Sequence, residues 1–206
     1  MRILLIFIIG LNLKFCFSQN EGSIWYLGDY AGLDFSNGQP VPLMDGQMTT
    51  LEGCASIANA EGELLFYTNG EAVWDRNHDI MPNGADLYGH NSATNSALIF
   101  PKPGVENTYY LFTLDERGYE NGLRYSELDM TLNNGLGNIT DSKNILLSTP
   151  MAEKMTAMKI SGENAYWLLV HKYSNNEFMA FKVTESGIDD PVISAVGTDL
   201  STHGSN

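Results

Sequence analysis

The fold is decided by Ser96-Ala-Leu-Ile-Phe, Tyr109-Tyr-Leu-Phe-Thr and Gly122-Leu-Arg-Tyr, three apolar stretches that follow one another closely along the chain. Each stretch is four or five residues long and rich in aliphatic or aromatic side chains, which is typical of β-strands. The middle stretch is almost continuously apolar, as is Tyr166-Trp-Leu-Leu-Val later in the chain, which predicts that both strands are buried on both faces. The short polar segments between them indicate turns. We therefore predict a three-stranded antiparallel unit.

The same pattern occurs twice more, once before this unit and once after it. The earlier unit contains Cys54-Ala-Ser-Ile-Ala, Glu63-Leu-Leu-Phe-Tyr-Thr and Glu71-Ala-Val-Trp, and the later one contains Met155-Thr-Ala-Met-Lys-Ile, Ala165-Tyr-Trp-Leu-Leu-Val and Glu177-Phe-Met-Ala-Phe-Lys-Val. Aligning Tyr67, Phe112 and Leu169 gives spacings of 45 (112 − 67) and 57 (169 − 112) residues. Repeats of roughly 40–50 residues with three or four strands each are typical of propeller blades.

A shorter unit precedes these three, because Ser23-Ile-Trp-Tyr-Leu-Gly and Ala31-Gly-Leu-Asp-Phe also have strand-like patterns. Four such units, one of them incomplete, are few for a propeller ring of about four to eight blades. We therefore expect an all-β fold, a propeller-like repeat of three- to four-stranded antiparallel blades. Residues 20–206 are expected to form a partial β-propeller domain of about three to four blades, the N-terminal part of a larger ring.

The first 19 residues have the composition of a secretory signal peptide. Arg2 supplies a positive start, residues 3–13 are largely apolar, and the chain becomes polar at Gln19-Asn20. The apolar run is too short to span a bilayer comfortably, so no membrane span is expected after cleavage. An uncleaved anchor and a lipoprotein modified at Cys16 are the alternatives, and Lys14-Phe15 does not fit the lipoprotein pattern. The expected location is secreted, extracellular or on the outer cell surface.

The charge balance restricts the partners. The 206 residues include 25 Asp and Glu but only 11 Lys and Arg, a formal net charge of −14. Nucleic-acid binding requires clustered Lys and Arg, so no nucleic-acid partner is expected. An anionic membrane surface is disfavoured for the same reason. A neutral glycan or a cell-surface protein with a basic patch is the expected partner class.

An ordered set of motifs resembles a known family. These motifs are Trp25-Tyr-Leu-Gly, Leu65-Phe-Tyr-Thr-Asn-Gly, Val73-Trp-Asp-Arg-Asn-His, Ser96-Ala-Leu-Ile-Phe-Pro-Lys-Pro-Gly and Leu123-Arg-Tyr-Ser-Glu-Leu-Asp-Met. Together they resemble the N-terminal β-propeller region of large secreted Bacteroidetes proteins. Those proteins often carry PKD or immunoglobulin-like modules and a gliding-motility-associated domain that serves as a type IX secretion sorting signal. The resemblance implies further partners in downstream domains of the same polypeptide and supplies no catalytic residues.

Asp75, Asn77 and Asp79 are the only candidates for a metal site that the sequence offers. Their alternating oxygen ligands resemble the start of a calcium loop. The sixth position of such a loop should be Gly and is Ile80, and the twelfth is Asp86 rather than Glu. We interpret the segment as a loop between strands and expect no metal or other cofactor.

No set of residues has the spacing of a catalytic site. The four histidines form no zinc-binding pair and no G-x-S-x-G motif is present. Two acidic pairs, Asp29 with Asp34 and Asp115 with Glu116, would suit a glycosidase, but acids this common also occur in loops by chance. The favoured function is a non-catalytic binding, adhesion or scaffold module of a cell-surface protein. A propeller-type hydrolase acting on extracellular polysaccharide is the alternative.

Two further kinds of functional site are considered, a sugar-binding surface of tryptophan side chains and a reactive cysteine thiol. Trp25, Trp74 and Trp167 could offer a sugar-stacking platform, but Trp74 and Trp167 lie in predicted strands and are expected to pack between blades. Cys54 lies in an apolar strand with no histidine close to it in sequence, which predicts a buried, unreactive thiol.

Overall fold

The computed structural model describes residues 20–202, which form four separate antiparallel sheets. Sheet 1 contains β1 (Ile24–Gly28), β2 (Ala31–Asp34) and β3 (Val41–Leu43), and sheet 2 contains β4 (Ala55–Ala58), β5 (Leu64–Thr68) and β6 (Val73–Asp75). Sheet 3 contains β7 (Ala97–Pro101), β8 (Thr108–Leu114), β9 (Leu123–Asp129), β10 (Asn138–Ile139) and β11 (Ile145–Ser148). Sheet 4 contains β12 (Met151–Lys159), β13 (Tyr166–Lys172), β14 (Glu177–Thr184), β15 (Gly187–Ile188) and β16 (Val192–Ala195).

In the described part of the chain, helical structure is limited to three single 3₁₀ turns, Asn20–Gly22, Asn133–Gly135 and Leu200–Thr202. Within residues 20–202, no helix has the length and apolar character needed to cross a bilayer. The predicted signal peptide at residues 1–19 lies outside the described residues, as does His203.

The three predicted units correspond to sheets 2, 3 and 4, and the short leading unit corresponds to sheet 1. In sheet 3, for example, Phe112 of β8 pairs with Leu98 of β7 on one side and with Tyr125 of β9 on the other. The all-β prediction and the antiparallel order of strands within each unit are therefore confirmed.

The four sheets pack face to face in chain order, and a separate apolar core fills each of the three junctions. Tyr26 and Tyr67 lie between sheets 1 and 2, Phe66 and Leu111 between sheets 2 and 3, and Phe112 with Leu168 between sheets 3 and 4. The first strands of sheets 2, 3 and 4 also contact one another in sequence, β4 with β7 and β7 with β12. The sheets therefore form one continuous row.

Strand β8 shows why a continuous apolar run is needed in the middle of this row. Successive side chains of a strand point to opposite faces, so Leu111 enters the core shared with sheet 2 while Phe112 enters the core shared with sheet 4. Both side chains are fully buried. The prediction of burial on both faces is confirmed for this strand.

Strand β13 differs, because only one of its faces is covered. Leu168 and Val170 are buried against sheet 3, whereas Leu169 between them is 38% exposed. The same prediction of burial on both faces was therefore wrong for β13. Sheet 4 stands at the end of the row, and within the described residues no sheet packs on its outer face.

Loops at one end of the strands in all four sheets form a connected set, here called the loop face, made of residues 28–31, 48–53, 69–72, 89–96, 115–122, 149–150 and 173–176. Main-chain hydrogen bonds join neighbouring loops of this set: Tyr30 N–H donates to Met48 O (3.1 Å), Gly53 N–H to Ala93 O (3.1 Å), His90 N–H to Leu114 O (3.0 Å) and Tyr173 N–H to Pro150 O (3.3 Å). The loop face therefore extends over all four sheets.

Glu153 of β12 strengthens the loop face between sheets 3 and 4. Its carboxylate accepts hydrogen bonds from the main-chain N–H groups of Thr94 and Arg117, each at 2.9 Å. Partial burial acts to raise the pKa of the Glu153 carboxyl, but these two N–H groups outweigh it and hold the pKa below its usual range. Two loops from sheet 3 are thereby fixed to the first strand of sheet 4.

Sheet 1 is built differently from the others, because β1 runs opposite to its neighbour β4. The start of β1 lies beside Ser56, whose hydroxyl donates to Ile24 O (2.9 Å) and accepts from Tyr26 N–H (3.2 Å). The end of β1, at Gly28, lies against Thr50, which precedes β4. Side chains of β4 thus bond to the edge of β1 that no strand pairs within residues 20–202.

Asn-Gly pairs are typical of two-residue hairpin turns, but the turn that contains Asn69-Gly70 is longer. Thr68 pairs with Val73, so four residues separate β5 from β6. The side-chain oxygen of Asn69 accepts hydrogen bonds from the N–H groups of Glu71 (2.9 Å) and Ala72 (3.0 Å). Because an Asn side chain can replace a backbone acceptor in this way, it stabilises the wider turn.

We expect the protein to lose stability as the pH rises above about 10, the ordinary pKa of tyrosine. Burial raises the pKa of Tyr26, Tyr67, Tyr109, Tyr110, Tyr125 and Tyr166 in the folded protein. Above pH 10 or so the unfolded chain loses these protons before the folded protein does, which favours unfolding. Urea melts followed by circular dichroism at a series of alkaline pH values would measure the decline. A midpoint that stays constant through this range would contradict the burial of these phenols.

Candidate functional site

The proposed metal candidates lie at the end of the sheets opposite the loop face. Asp75 is the last residue of β6 and is almost fully buried. Its Oδ1 atom accepts hydrogen bonds from the N–H groups of Asn77 (2.7 Å) and Asp79 (3.3 Å). The carboxylate of Asp75 therefore shapes the turn after β6, and among residues 20–202 no group of three His, Cys, Asp or Glu side chains is placed to hold a metal ion.

The structure separates one of the two acidic pairs and brings the other onto the loop face. Asp29 lies in the turn between β1 and β2, whereas Asp34 is at the far end of β2, so these two carboxylates do not face a common substrate. Asp115 and Glu116 both lie in the loop between β8 and β9. Only the second pair can contribute to a site on the loop face.

An open cleft of about 580 Å³ lies on the loop face and is lined by His90, Asp115, Tyr119, Glu120 and Asn121. Four of these residues belong to the β8–β9 loop, and His90 comes from the segment that leads into β7. Carboxylate, amide and imidazole groups therefore meet an exposed aromatic ring. We identify this cleft as the candidate binding site.

Asp115 fixes the shape of the cleft rather than offering a free carboxylate. It is almost fully buried, and its two oxygens accept hydrogen bonds from Glu116 N–H (2.9 Å) and Asn121 N–H (3.1 Å). A carboxylate that is buried and occupied by main-chain donors is poorly placed to exchange a proton with a substrate. Asp115 and Glu116 consequently do not form a glycosidase pair in this geometry.

His90 is oriented by its own loop. Its Nδ1 atom accepts a hydrogen bond from Ser92 N–H at 3.1 Å, which leaves Nε2 as the protonated nitrogen of the neutral ring. Nε2 points towards Glu116, 3.8 Å from Oε1. The imidazole thus presents a donor at the edge of the cleft, which suits the recognition of a hydroxyl or carbonyl oxygen.

Exposed tyrosines stand beside these polar groups. Tyr119 lines the cleft and is 53% exposed, and Tyr30 is similarly exposed in the β1–β2 turn of the same face. Tyr173 of the β13–β14 loop packs beside Gly118, which has φ of +71° and no room for a side chain. Tyrosine rings offer a flat apolar surface with a polar tip, which is suited to contacts with partly apolar, hydroxyl-bearing ligands.

A second cluster of titratable side chains lies between the outer strands of sheets 1 and 2. Gln47 N–H donates to the Tyr67 hydroxyl (3.0 Å), which contacts His78 Nδ1 (3.1 Å), and His78 Nε2 lies 3.4 Å from Asp45. Tyr26 donates to the other oxygen of Asp45 at 2.8 Å. Tyr67 and Tyr26 are buried, so no substrate reaches their hydroxyls, and the cluster holds the chain between β3 and β4 in place.

The protonation of this cluster follows from its contacts. Burial and the hydrogen bond to Asp45 raise the pKa of Tyr26 above its ordinary range. Burial acts to raise the pKa of Asp45, but the hydrogen bond from Tyr26 and the proximity of His78 lower it below its usual value. Tyr26 is therefore neutral and Asp45 charged at neutral pH, which supports the structural role.

The tryptophans and Cys54 do not form a binding platform. Trp74 stacks on Tyr67 with ring centroids 5.6 Å apart, as expected of a packing residue. Trp25 and Trp167 lie on the outer faces of sheets 1 and 4, at opposite ends of the row, so the expectation that Trp167 packs between blades was wrong for the described residues. Cys54 is partly buried rather than fully buried as predicted; this burial raises the pKa of its thiol, and its sulfur lies 3.3 Å from Tyr26 O.

Sequence reasoning did not identify the cleft, because its residues come from separate loops. His90 and Tyr119 are 29 residues apart (119 − 90) and meet only because both loops lie at the same end of sheet 3. The order of the strands could have indicated the cleft. Because β7, β8 and β9 are consecutive antiparallel strands, the segment before β7 lies at the same end of the sheet as the β8–β9 loop.

The chain was also compared with known proteins. No protein-family model, no curated protein and no solved structure matches it.

Proposed function

We propose that this chain is a propeller-type, non-catalytic binding module of a secreted or cell-surface protein, and that its loop face binds a glycan or a protein surface. The observation that carries the proposal is the cleft of His90, Tyr119, Glu120 and Asn121, which combines hydrogen-bonding groups with an exposed ring. Binding of neutral sugars and of polar protein surfaces uses this combination of groups.

The propeller interpretation is supported by the order of the sheets. Four antiparallel sheets follow one another face to face, and the first strands of sheets 2, 3 and 4 are neighbours. The charge of Glu21, which precedes sheet 1, adds to the effect of burial on the pKa of Tyr109 in sheet 3 and Tyr166 in sheet 4. The segment before the first sheet is thus near the third and fourth, as a curved row requires.

The chemistry of the cleft favours a neutral or basic ligand. Asp115, Glu116 and Glu120 lie in one loop, and the whole chain has a formal net charge of −14. Like charges repel an acidic polysaccharide unless a cation bridges them. Export, a place on the outer surface and the link to type IX secretion and gliding motility are proposed on the composition of residues 1–19 and on the motif resemblance.

The alternative, a hydrolase of extracellular polysaccharide, is favoured by one feature only. Glu116 lies near His90 at the edge of the cleft, and Glu120 lines it. A glycosidase requires two carboxyl groups on either side of the scissile bond, one of them able to donate a proton. Asp115 does not fill that role, because main-chain N–H groups occupy both of its oxygens.

The two functions are separated by a panel of neutral and acidic glycans, each tested with and without calcium. Retention of a glycan without release of products supports the binding module. Sustained release of products that is abolished by Glu116→Gln or Glu120→Gln would show that the protein is a hydrolase instead. Retention of acidic glycans only when calcium is present would indicate that a cation bridges the ligand and the protein.

We expect Tyr119→Ala to weaken binding of a retained glycan about fivefold or more, because the ring is exposed on the cleft and its loss removes the stacking surface. Glu120→Gln tests the polar contribution, and Glu61→Gln, an exposed glutamate outside the loop face, is the matched control. Isothermal titration calorimetry would measure the affinities. If Tyr119→Ala and Glu61→Gln bound equally well, the ligand would not occupy this cleft.

A further inference from the structure

Sheet 4 and the loop that leads into it hold the part of the β8–β9 loop that enters the cleft. Glu153 of β12 accepts a hydrogen bond from Arg117 N–H at 2.9 Å. The hydroxyl of Thr149, just before β12, donates to Tyr119 O at 3.2 Å. Because Tyr119 supplies the exposed ring of the cleft, the position of this ring depends on groups outside sheet 3.

The other loop of the cleft, which precedes β7, is held by the same carboxylate. Oε2 of Glu153 accepts hydrogen bonds from the N–H group (2.9 Å) and from the hydroxyl (3.2 Å) of Thr94, while Oε1 accepts from Arg117 N–H. Thr94 comes four residues after His90, and Arg117 comes two residues before Tyr119. The side chain of Glu153 therefore joins the two loops that place His90 and Tyr119 in the cleft.

The contact between the loops requires two acceptor oxygens on the side chain at position 153. Each loop presents a main-chain N–H group, which can act as a donor but never as an acceptor. Glutamine has the shape of glutamate but a single side-chain oxygen, so its NH₂ group would face one of the two N–H groups. The negative charge of the carboxylate also strengthens both hydrogen bonds. Glu153→Gln should therefore release one of the two loops.

Glu71 makes a similar contact to the loop before β7, but there the same substitution can be accommodated. Its two oxygens accept hydrogen bonds from Asn91 N–H (3.1 Å) and from the side-chain amide of Asn91 (3.2 Å). That side-chain amide can turn over and present its oxygen to the NH₂ group of a glutamine. Glu71→Gln should therefore keep both hydrogen bonds, which makes it an informative comparison for Glu153→Gln.

We propose that Glu153 is a positioning residue of the candidate site: its carboxylate sets the separation of the loops that carry His90 and Tyr119, and through this separation the affinity of the cleft. The inference rests on the proposed binding function. It makes the site a composite one, in which the loops of sheet 3 supply the binding groups and sheet 4 fixes their spacing. Loops that are held in place before a ligand arrives lose less conformational freedom on binding.

Amide hydrogen exchange followed by NMR tests the role of Glu153 without any ligand. In Glu153→Gln, exchange of the N–H group of Thr94, of Arg117 or of both is expected to become about 10-fold faster or more, because one of them loses its acceptor. Glu163→Gln is the matched control, since it removes an ion pair with Lys182 (2.7 Å) in the turn between β12 and β13 and should leave both N–H groups protected. Circular dichroism would confirm that the variants fold.

Two results of the exchange experiment would overturn the proposal: wild-type protection of both N–H groups in Glu153→Gln, or an equal loss of protection in Glu71→Gln, which would trace the effect to charge rather than to the shared acceptor.

The same variants are then titrated calorimetrically with a neutral oligosaccharide that the wild-type chain retains in the glycan panel. Glu153→Gln is expected to bind it about tenfold more weakly or worse, and Glu163→Gln as tightly as the wild type. Full affinity in a Glu153→Gln chain whose loops exchange faster would refute the link between loop spacing and affinity. A wild-type chain that retains no glycan would contradict the proposed function instead, and the exchange rates alone would then support or overturn the role of Glu153.

Discussion

Leu168→Ala is expected to lower the free energy of unfolding by about 2–5 kcal/mol, the usual cost of removing a fully buried leucine. Leu168 has no exposed surface and lies in the core between sheets 3 and 4, together with Phe112 and Phe181. Because these rings belong to strands of two different sheets, they cannot close the space without moving the sheets. The cost should therefore lie in the upper part of this range.

Leu169→Ala is the matched control, since it makes the same chemical change at the next residue of the same strand. Leu169 is 38% exposed on the outer face of sheet 4, and its replacement should cost about 1 kcal/mol or less in the monomer. Urea melts at a concentration where the chain is monomeric would measure both variants. Equal losses for Leu168 and Leu169 would show that both faces of β13 are covered, contrary to the structure.

Much of the fold could be predicted, because the apolar residues that favour each β-strand are consecutive in the sequence. The apolar runs Leu64-Leu-Phe-Tyr and Tyr109-Tyr-Leu-Phe became β5 and β8, which are buried between neighbouring sheets. The same type of run in β13 was predicted to be buried on both faces, and it is not. The composition of a strand shows whether its faces are apolar. Whether a neighbouring sheet covers a given face depends on the position of the sheet in the row.

The polar features were less predictable, because they depend on side-chain contacts across the chain. Asp75 and Asp79 have the spacing of metal ligands, yet Oδ1 of Asp75 accepts from main-chain N–H groups instead. The cluster of Tyr26, Asp45 and His78 joins residues far apart in sequence and has no local motif. Hydrogen bonds of this kind are decided by the packing of sheets 1 and 2, which the sequence pattern does not specify in detail.

Fold and proposed function meet at the loop face, because the hydrogen bonds that join sheet to sheet also fix the cleft. His90 N–H donates to the end of β8, and the β8–β9 loop that carries Tyr119 begins one residue later. A binding site held by main-chain bonds loses little conformational freedom when a ligand binds, which favours affinity. The spacing between the loops should therefore affect the affinity for the ligand as much as the side chains of the cleft do.

Gly53→Ala is expected to disturb this spacing. Gly53 lies between sheets 2 and 3, where its N–H donates to Ala93 O. An added Cβ would lie 2.7 Å from Ala93 O and closer still to Ser96 N, both of them main-chain atoms that cannot rotate away. The loop before β7 would have to move, at a cost of about 3 kcal/mol, the upper end of the usual range for overpacking.

Gly22→Ala is the matched control, because an added methyl group there has no atom within 4 Å and the residue lies before β1. It should leave both stability and binding unchanged. Gly53→Ala should lower the unfolding midpoint and also weaken glycan binding, since the loop it displaces carries His90. Denaturant melts and calorimetric titration on the two variants would separate these effects. If Gly53→Ala kept full stability, the close approach of sheets 2 and 3 at the loop face would be wrong, and with it the position of His90 in the cleft.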